Sequence, residues 1–288
     1  MHQHSFARGF ARIASAAVAM ACLSGAAQAA GYTLTALGDL PGGTDSSRAT
    51  GINDAGQVVG DSDAATGTRA FLWDAVGGMT DLGDLPGGSD YSAAFGINDA
   101  GQVVGESRAA TGTRAFLWDA TGGMTDLGDL PGGTDFSAAN GINGTGQVVG
   151  VSSVTTVGRA FLWDAVGGMA DLGVLPGGSD TSYAYGINDA GQVVGSSGGA
   201  TGYQAFLWDV VNGMQDLNDL IDPGLGAFLE SATDINASGQ IVGYGTIDGY
   251  YQAFLLTPTS DVPVPAALPL MLGGIGLLAG VARKRRAA

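Results

Sequence analysis

Apolar residues come in short runs along this chain, and the runs return every 45 residues. Within residues 92–130 the order is Ser-Ala-Ala-Phe-Gly-Ile-Asn, Gln-Val-Val-Gly-Glu-Ser, Thr-Arg-Ala-Phe-Leu-Trp and Met-Thr-Asp-Leu-Gly-Asp-Leu. Short runs rich in β-branched and aromatic residues, bounded by Gly, Asn and Asp, predict strands. Segments 92–98, 102–107, 113–118 and 124–130 are therefore read as four short antiparallel strands, with turns at 99–101 and 119–123 and a loop at 108–112. No apolar spacing of three or four persists, which argues against helix. Ala115-Phe116-Leu117-Trp118 is apolar on both faces, whereas a sheet wetted on one side would alternate. The first strand is made of small residues, as expected where strands crowd toward an axis.

The period decides the architecture. Trp73, Trp118, Trp163 and Trp208 are 45 apart, as are Gly51, Gly96, Gly141 and Gly186, each opening a Gly-Ile-Asn triplet. The triplet returns as Asp234-Ile235-Asn236, and the Phe-Leu pair begins at Phe71, Phe116, Phe161, Phe206 and Phe254. Four strands in roughly 45 residues is the signature of a propeller blade. The expected fold is all-β: a five-bladed β-propeller over residues 30–258, with the four tryptophans as its repeat core. Fourth strands number five only if residues 32–40 are counted, because Leu37-Gly38-Asp39-Leu40 repeats Leu82-Gly83-Asp84-Leu85. The ring is thus expected to close by pairing this N-terminal strand with the last repeat, leaving no exposed edge. The fifth unit departs from the others by three extra residues around 221–228, by Leu256 in place of Trp and by Asp234 in place of Gly.

The two ends have their own patterns. Arg8 and Arg12 precede a short apolar run, and Ala27-Gln28-Ala29 is a small-residue cleavage site. Residues 1–29 are read as a signal peptide cut between Ala29 and Ala30, with an N-terminal anchor as the alternative. The single cysteine, Cys22, would leave with it, so the mature chain would carry no disulfide. Residues 259–288 hold Val262-Pro263-Val264-Pro265-Ala266, an uncharged apolar stretch over 266–282, and Arg283-Lys284-Arg285-Arg286. As a helix the stretch would rise ~25 Å, near the thickness of a thin bilayer, with the basic cluster held on the cytoplasmic side.

The three-part order of motif, helix and basic tail resembles the PEP-CTERM class of sorting signals in its VPLPA variant, with Val264 where that variant has Leu. The resemblance implies transient membrane insertion through 266–282, an exosortase-type membrane protease as partner, and removal of the helix. It places the protein at the cell surface or in the extracellular matrix of a Gram-negative bacterium after sorting, and membrane-anchored before. A plain single-span anchor would explain the helix and the charges but not the Pro-rich motif.

Charge narrows the partners. Between the end segments lie five basic residues against 27 acidic ones, a net charge of −22, with neither Lys nor His. Phosphate binding needs clustered Lys or Arg, so nucleic acid is excluded as a partner. Acidic polysaccharide would be repelled unless divalent cations bridged it. High negative charge reads as solubility outside the cell.

Gly-Ile-Asn-Asp-x-Gly-Gln-Val-Val-Gly, Ala-Phe-Leu-Trp and Met-x-Asp-Leu-Gly-x-Leu-x-Gly-Gly together resemble the extracellular HAF-repeat family over residues 32–257. The resemblance implies secretion and a propeller-like repeat. The family's His-Ala-Phe histidine is replaced here by Arg69, Arg114, Arg159, Gln204 and Gln252.

Catalysis is not expected. No His or Cys remains to activate a serine. A carboxylate pair could hydrolyse a glycoside, but the Asp residues recur at equivalent positions, and the only Glu residues are Glu106 and Glu230. Asp74, Asp119, Asp164 and Asp209 are read as turn residues. Asp45, Asp90, Asp135 and Asp180, with Asp54, Asp99 and Asp189, could supply some oxygens to Ca2+. No Asp-x-Asp-x-Asp-Gly run exists, so structural turns are the reading and no cofactor is expected. The expected function is a non-catalytic structural or binding role among extracellular polymers. The alternative is a carbohydrate-binding, lectin-like propeller, with extracellular polysaccharide as ligand. Its contact residues would be the variable aromatics: Tyr91, Phe136, Tyr183, Tyr203, Tyr250 and Tyr251.

Overall fold

Each Val-Val-Gly run pairs with the Ala-Phe-Leu-Trp run that follows it, because a two-residue turn joins them and both are β-formers. In the second repeat, β6 (Val103–Ala109) and β7 (Gly112–Asp119) pair from Val103↔Trp118 to Ala109↔Gly112 without interruption. The computed structural model describes residues 33–199 and 202–259. The signal peptide with its Ala29/Ala30 cleavage site, the motif at 262–266, the apolar stretch 266–282 and the basic tail lie outside the described residues. Among the described residues no helix is long and apolar enough to cross a membrane. Two compact units are distinguished, Met1–Ala36 and Leu37–Ala288. Of the first only residues 33–36 are described, and they hold no strand.

The second unit is all-β. Its first repeat comprises β1 (Gly42–Ile52), β2 (Val58–Ala64), β3 (Gly67–Asp74) and β4 (Gly78–Asp81). The second adds β5 (Gly87–Ile97) and β8 (Gly123–Asp126) to the hairpin above. The third runs through β9 (Gly133–Ile142), β10 (Val148–Val154), β11 (Val157–Asp164) and β12 (Gly168–Asp171). The fourth holds β13 (Ser182–Ile187), β14 (Val193–Gly199), β15 (Gly202–Asp209) and β16 (Gly213–Asp216). The fifth has β17 (Ala227–Ile235), β18 (Ile241–Ile247) and β19 (Tyr250–Leu256). The extra residues before β17 form two 3-10 turns, Leu217–Leu220 and Pro223–Leu225.

Within a repeat the strands are antiparallel and sequential. Single parallel bridges, Thr68↔Tyr91 and Thr113↔Phe136, join the first three repeats into one twelve-stranded sheet. The fourth repeat is a four-stranded sheet and the fifth a three-stranded one. The fourth strand expected from residues 32–40 is not formed among the described residues: 33–40 carry no strand. Two positions keep the repeat's pattern: Leu40 is buried and donates its N–H to Ser62 Oγ at 3.0 Å as Leu85 does to Ser107, and the Gly38 carbonyl accepts the Ser47 hydroxyl as Gly83 does that of Ser92. Ala36 stands where Asp81 and Asp126 receive the N–H of Gly83 and Gly128, so that turn has no acceptor here. The same Asp turn ends the other fourth strands sooner than expected, at Asp126 rather than at residue 130.

The core lies between repeats. Four apolar clusters fill the four junctions between successive repeats. At the first, Val59, Ala70 and Leu82 meet Ala94, Val103 and Phe116. The buried centre of the third strand in the first four repeats is the phenylalanine: Phe71, Phe116, Phe161 and Phe206 are fully buried, whereas Phe254 of β19 is partly so. Burying such a ring stabilises by about 1.5–3 kcal/mol. The tryptophans are only half-buried, with Trp118, Trp163 and Trp208 packing against the rims of the clusters. Gly105 shows why the Val-Val run ends in glycine, since a Cβ there would sit 2.0 Å from the carbonyl oxygen of Ala93 on β5.

The first strands face one another. Residues of β1, β5, β9, β13 and β17 line a common cavity of about 520 Å³, with Ile52, Ile97, Ile142 and Ile187 contributing. The outer ends of the stack stay uncovered: β1 is exposed along nearly all its length, and in the fifth repeat Val242 and Leu255 are exposed.

Candidate functional site

The residues the sequence singles out divide by whether they recur. Those that recur are committed to holding the repeats together. Asp74, Asp164 and Asp209 accept N–H bonds from the two turn residues that follow, as Asp119 does from Thr121 and Gly122. These bonds hold the four carboxyls below the usual carboxylate range. For Asp74 and Asp164 the first cause is a backbone N–H, for Asp119 the Thr121 hydroxyl, and for Asp209 the Asn212 amide.

Arg69 and Arg114 bind the segment leading into the next repeat. Arg69 pairs with Asp84 and Asp90, both at 2.8 Å, and Arg114 with Asp129 and Asp135 at 2.7 and 2.6 Å. Asp90 and Asp135, considered above as calcium ligands, are thus ion-paired. Val174 occupies the place of Asp129 in the third repeat, where Arg159 lies 3.5 Å from Asp171 instead. Asp99 and Asp189 accept backbone N–H bonds from the preceding repeat at 2.9 and 2.7 Å. Among the described residues no group of three His, Cys, Asp or Glu could hold a metal ion.

Two recurring residue types carry more than the sequence indicates. Each triplet asparagine bonds its own turn and donates to the asparagine carbonyl of the next repeat, from Asn53 through Asn98 and Asn143 to Asn188. Ser92, Ser137 and Ser182 accept N–H bonds from Ala70, Ala115 and Ala160 of the preceding repeat, each at 2.9 Å. Their recurrence at the period was the available signal.

The aromatics that do not recur behave differently. Tyr91 donates to Glu106 at 3.0 Å with the Arg108 guanidinium over its ring, and Phe136 lies on the bridge to Thr113. Tyr250 is exposed. Tyr183, Tyr203 and Tyr251, however, come together in one cavity of about 430 Å³ across the fourth junction. The fourth repeat adds Tyr185 and Ser196, and the fifth adds Glu230, Ser231 and Tyr244. The Tyr183 and Tyr185 rings are stacked at 6.5 Å, Tyr203 is tilted against Tyr183 at 6.1 Å, and Tyr244 against Tyr251 at 5.4 Å. Burial above all pushes the Tyr183 and Tyr185 phenols above the ordinary tyrosine range, so both stay neutral.

A local irregularity positions the acid. β17 shifts register between Leu229 and Ser231, a shift absent from β13, which is irregular only between Ala184 and Gly186. Leu229 is held by Asn218, whose Oδ1 accepts its N–H and whose Nδ2 donates to its carbonyl. A bulge re-aims the side chain it displaces, and Glu230 lines the cavity, accepting the Thr246 hydroxyl at 3.1 Å. Beside it, the Ser231 hydroxyl is 3% exposed and has no hydrogen-bond partner. Such a group costs about 1–3 kcal/mol when left unsatisfied. A larger groove of about 720 Å³ is more apolar, lined by Leu220, Leu225 and Leu255 with Gln192, Asp222 and Ser238 among its polar residues.

No family model matches the chain, and no curated protein matches it. Among solved structures it is similar to TolB from Acinetobacter baumannii, at 15% identity and a TM-score of 0.47. That alignment covers 71% of this chain and 53% of the other, about half its length.

Proposed function

We propose that this is a secreted, non-enzymatic repeat protein of the bacterial surface. It would close as a five-bladed β-propeller, be delivered by an exosortase-type sorting signal, and bind among extracellular polymers. The observation that carries a binding role is the division of labour among the side chains. Recurring carboxylates are taken up in turns and ion pairs, while the non-recurring tyrosines gather in one cavity. A glycoside-hydrolysing centre would need two unengaged, non-equivalent carboxyls facing one another, and the cavity offers Glu230 alone. The ring reading is supported by the cavity common to all five first strands, and by uncovered apolar positions at the two ends that closure would bring together. Delivery rests on the order of residues 262–286.

The test is fractionation of the source culture followed by intact-mass measurement. The protein is expected to sediment with the extracellular polymer and to lack everything beyond the region 262–266. Surface protein still carrying Arg286 rejects the sorting reading, and protein found only free in the medium rejects the matrix role. The lectin reading is favoured by one observation, the composition of the tyrosine cavity.

A further inference from the structure

We propose that the cavity between the fourth and fifth repeats is a binding site for an uncharged saccharide. The inference rests on the binding role proposed above and assigns that role a place and a ligand class. Its volume, about 430 Å³, lies in the range of small-molecule sites. Five tyrosines line it, packed largely on one another, and the surface left open is mainly polar, phenol hydroxyls beside Glu230, which suits a ligand rich in hydroxyl groups. No Lys or Arg lines it, so an anionic sugar or a phosphate would enter uncompensated beside Glu230.

The choice between a sugar and an organic cation turns on Ser231. A quaternary ammonium would satisfy the ring faces and Glu230, but it has nothing to offer a buried hydroxyl. Ser231 lines the cavity, and its Oγ is buried with no partner among the described residues. A sugar hydroxyl donates and accepts at once, and so meets both Ser231 and the remaining acceptor capacity of Glu230. The bulge at Glu230 and the tyrosines at 203 and 251 all depart from the first three repeats, which carry Thr68, Thr113 and Gly158 where Tyr203 and Tyr251 stand. The site is an addition to the repeat rather than part of its scaffold.

The experiment is calorimetric titration of the full chain with cellotriose, maltotriose and laminaritriose, with glucuronic acid and tetramethylammonium chloride as comparators. At least one neutral trisaccharide is expected to bind, at one site per chain. Tyr203 and Tyr251 are 47% and 67% exposed, so the double change Tyr203→Ala/Tyr251→Ala should fold as the parent does. It should weaken binding at least ~10-fold, equivalent to about 1.4 kcal/mol. Ser231→Ala should weaken it by roughly 3- to 10-fold, a hydrogen bond's worth, and Tyr250→Ala should leave it unchanged. Trisaccharide binding that survives the double change overturns the site and spares the binding role. Tetramethylammonium binding without sugar binding overturns the ligand class. A parent that binds none of the three sugars overturns the proposal, and sedimentation with the polymer then decides the broader role separately.

Discussion

The side-chain amide of Asn98 crosses into the next repeat and donates to the backbone carbonyl of Asn143 at 3.1 Å. The same side chain accepts the Gln102 N–H at 3.0 Å and donates to Gln102 Oε1 at 2.8 Å. One buried residue thus closes its own turn and ties that turn to its neighbour. Asn98→Ala strands the half-buried Gln102 N–H, while the Asn143 carbonyl keeps the N–H of Gly146 at 3.1 Å. Urea unfolding should show a loss of about 1–2 kcal/mol, from one donor left unpaired and one cross-repeat bond lost. A loss within ~0.5 kcal/mol, the usual range for a surface change, would mean that water replaces the lost bonds.

Phe116 and Trp118 sit two residues apart on β7 but differ in burial: the phenylalanine is wholly enclosed and the tryptophan is not. Phe116→Ala should cost about 3–5 kcal/mol, and Trp118→Ala roughly half as much. The reverse order in denaturant melts would show that the rim of the junction, rather than its centre, dominates.

Gly105 has no room for a methyl group against the Ala93 carbonyl. Gly105→Ala should destabilise by more than ~4 kcal/mol or prevent soluble expression, because two backbones would have to separate. Gly122→Ala is the control. Its Cβ would meet only the Asp119 carboxylate at 3.3 Å on an exposed turn, and its melting temperature should stay close to the parent's.

The turn aspartates predict the acid limb of the stability curve. Asp74, Asp119, Asp164 and Asp209 have folded pKa values below their unfolded ones. Their contribution is therefore fully present above the ordinary carboxylate pKa, about 3.9, and is lost as pH falls through the depressed values. Melting temperature should be insensitive to these groups from neutrality to pH ~5 and should fall below pH ~4. Asp119→Ala should make that fall shallower, and an unchanged slope would show that other groups set it.

Closure of the ring can be tested by two deletions. Removing residues 32–40 takes away buried Leu40 and its bond to Ser62, and should lower stability by several kcal/mol. Removing only residues 32–36 isolates the expected strand pairing. If the shorter deletion melts like the parent, the N-terminal strand does not close the ring.

Much of the architecture was legible because it is periodic. The Val-Val-Gly and Ala-Phe-Leu-Trp runs specify a hairpin locally, and β6 and β7 overlap the expected 102–107 and 113–118, but the loop expected at 108–112 is a two-residue turn because Arg108 and Ala109 continue the pairing. Strand ends were less legible. Nothing in the pattern says that Asp126 will turn back on Gly128 and stop β8. The depth of Phe116 relative to Trp118 depends on what the neighbouring repeat presents, which hydrophobicity alone does not state. The tyrosine cavity was half visible. Tyr183, Tyr203 and Tyr251 stand out as variable aromatics, whereas Tyr185, Tyr244, Ser231 and Glu230 join them only through the facing of two repeats and a one-residue bulge. Comparing equivalent columns would have helped, since Tyr203 and Tyr251 occupy the same one.

Among the described residues the tyrosine cluster occurs once, in a scaffold whose repeat recurs five times. As the proposed binding site its valency would be one. A single copy would then hold a polymer chain at a point without joining two chains. Any cross-linking of the surroundings, and any gain in avidity, would have to come from many copies displayed side by side on a surface.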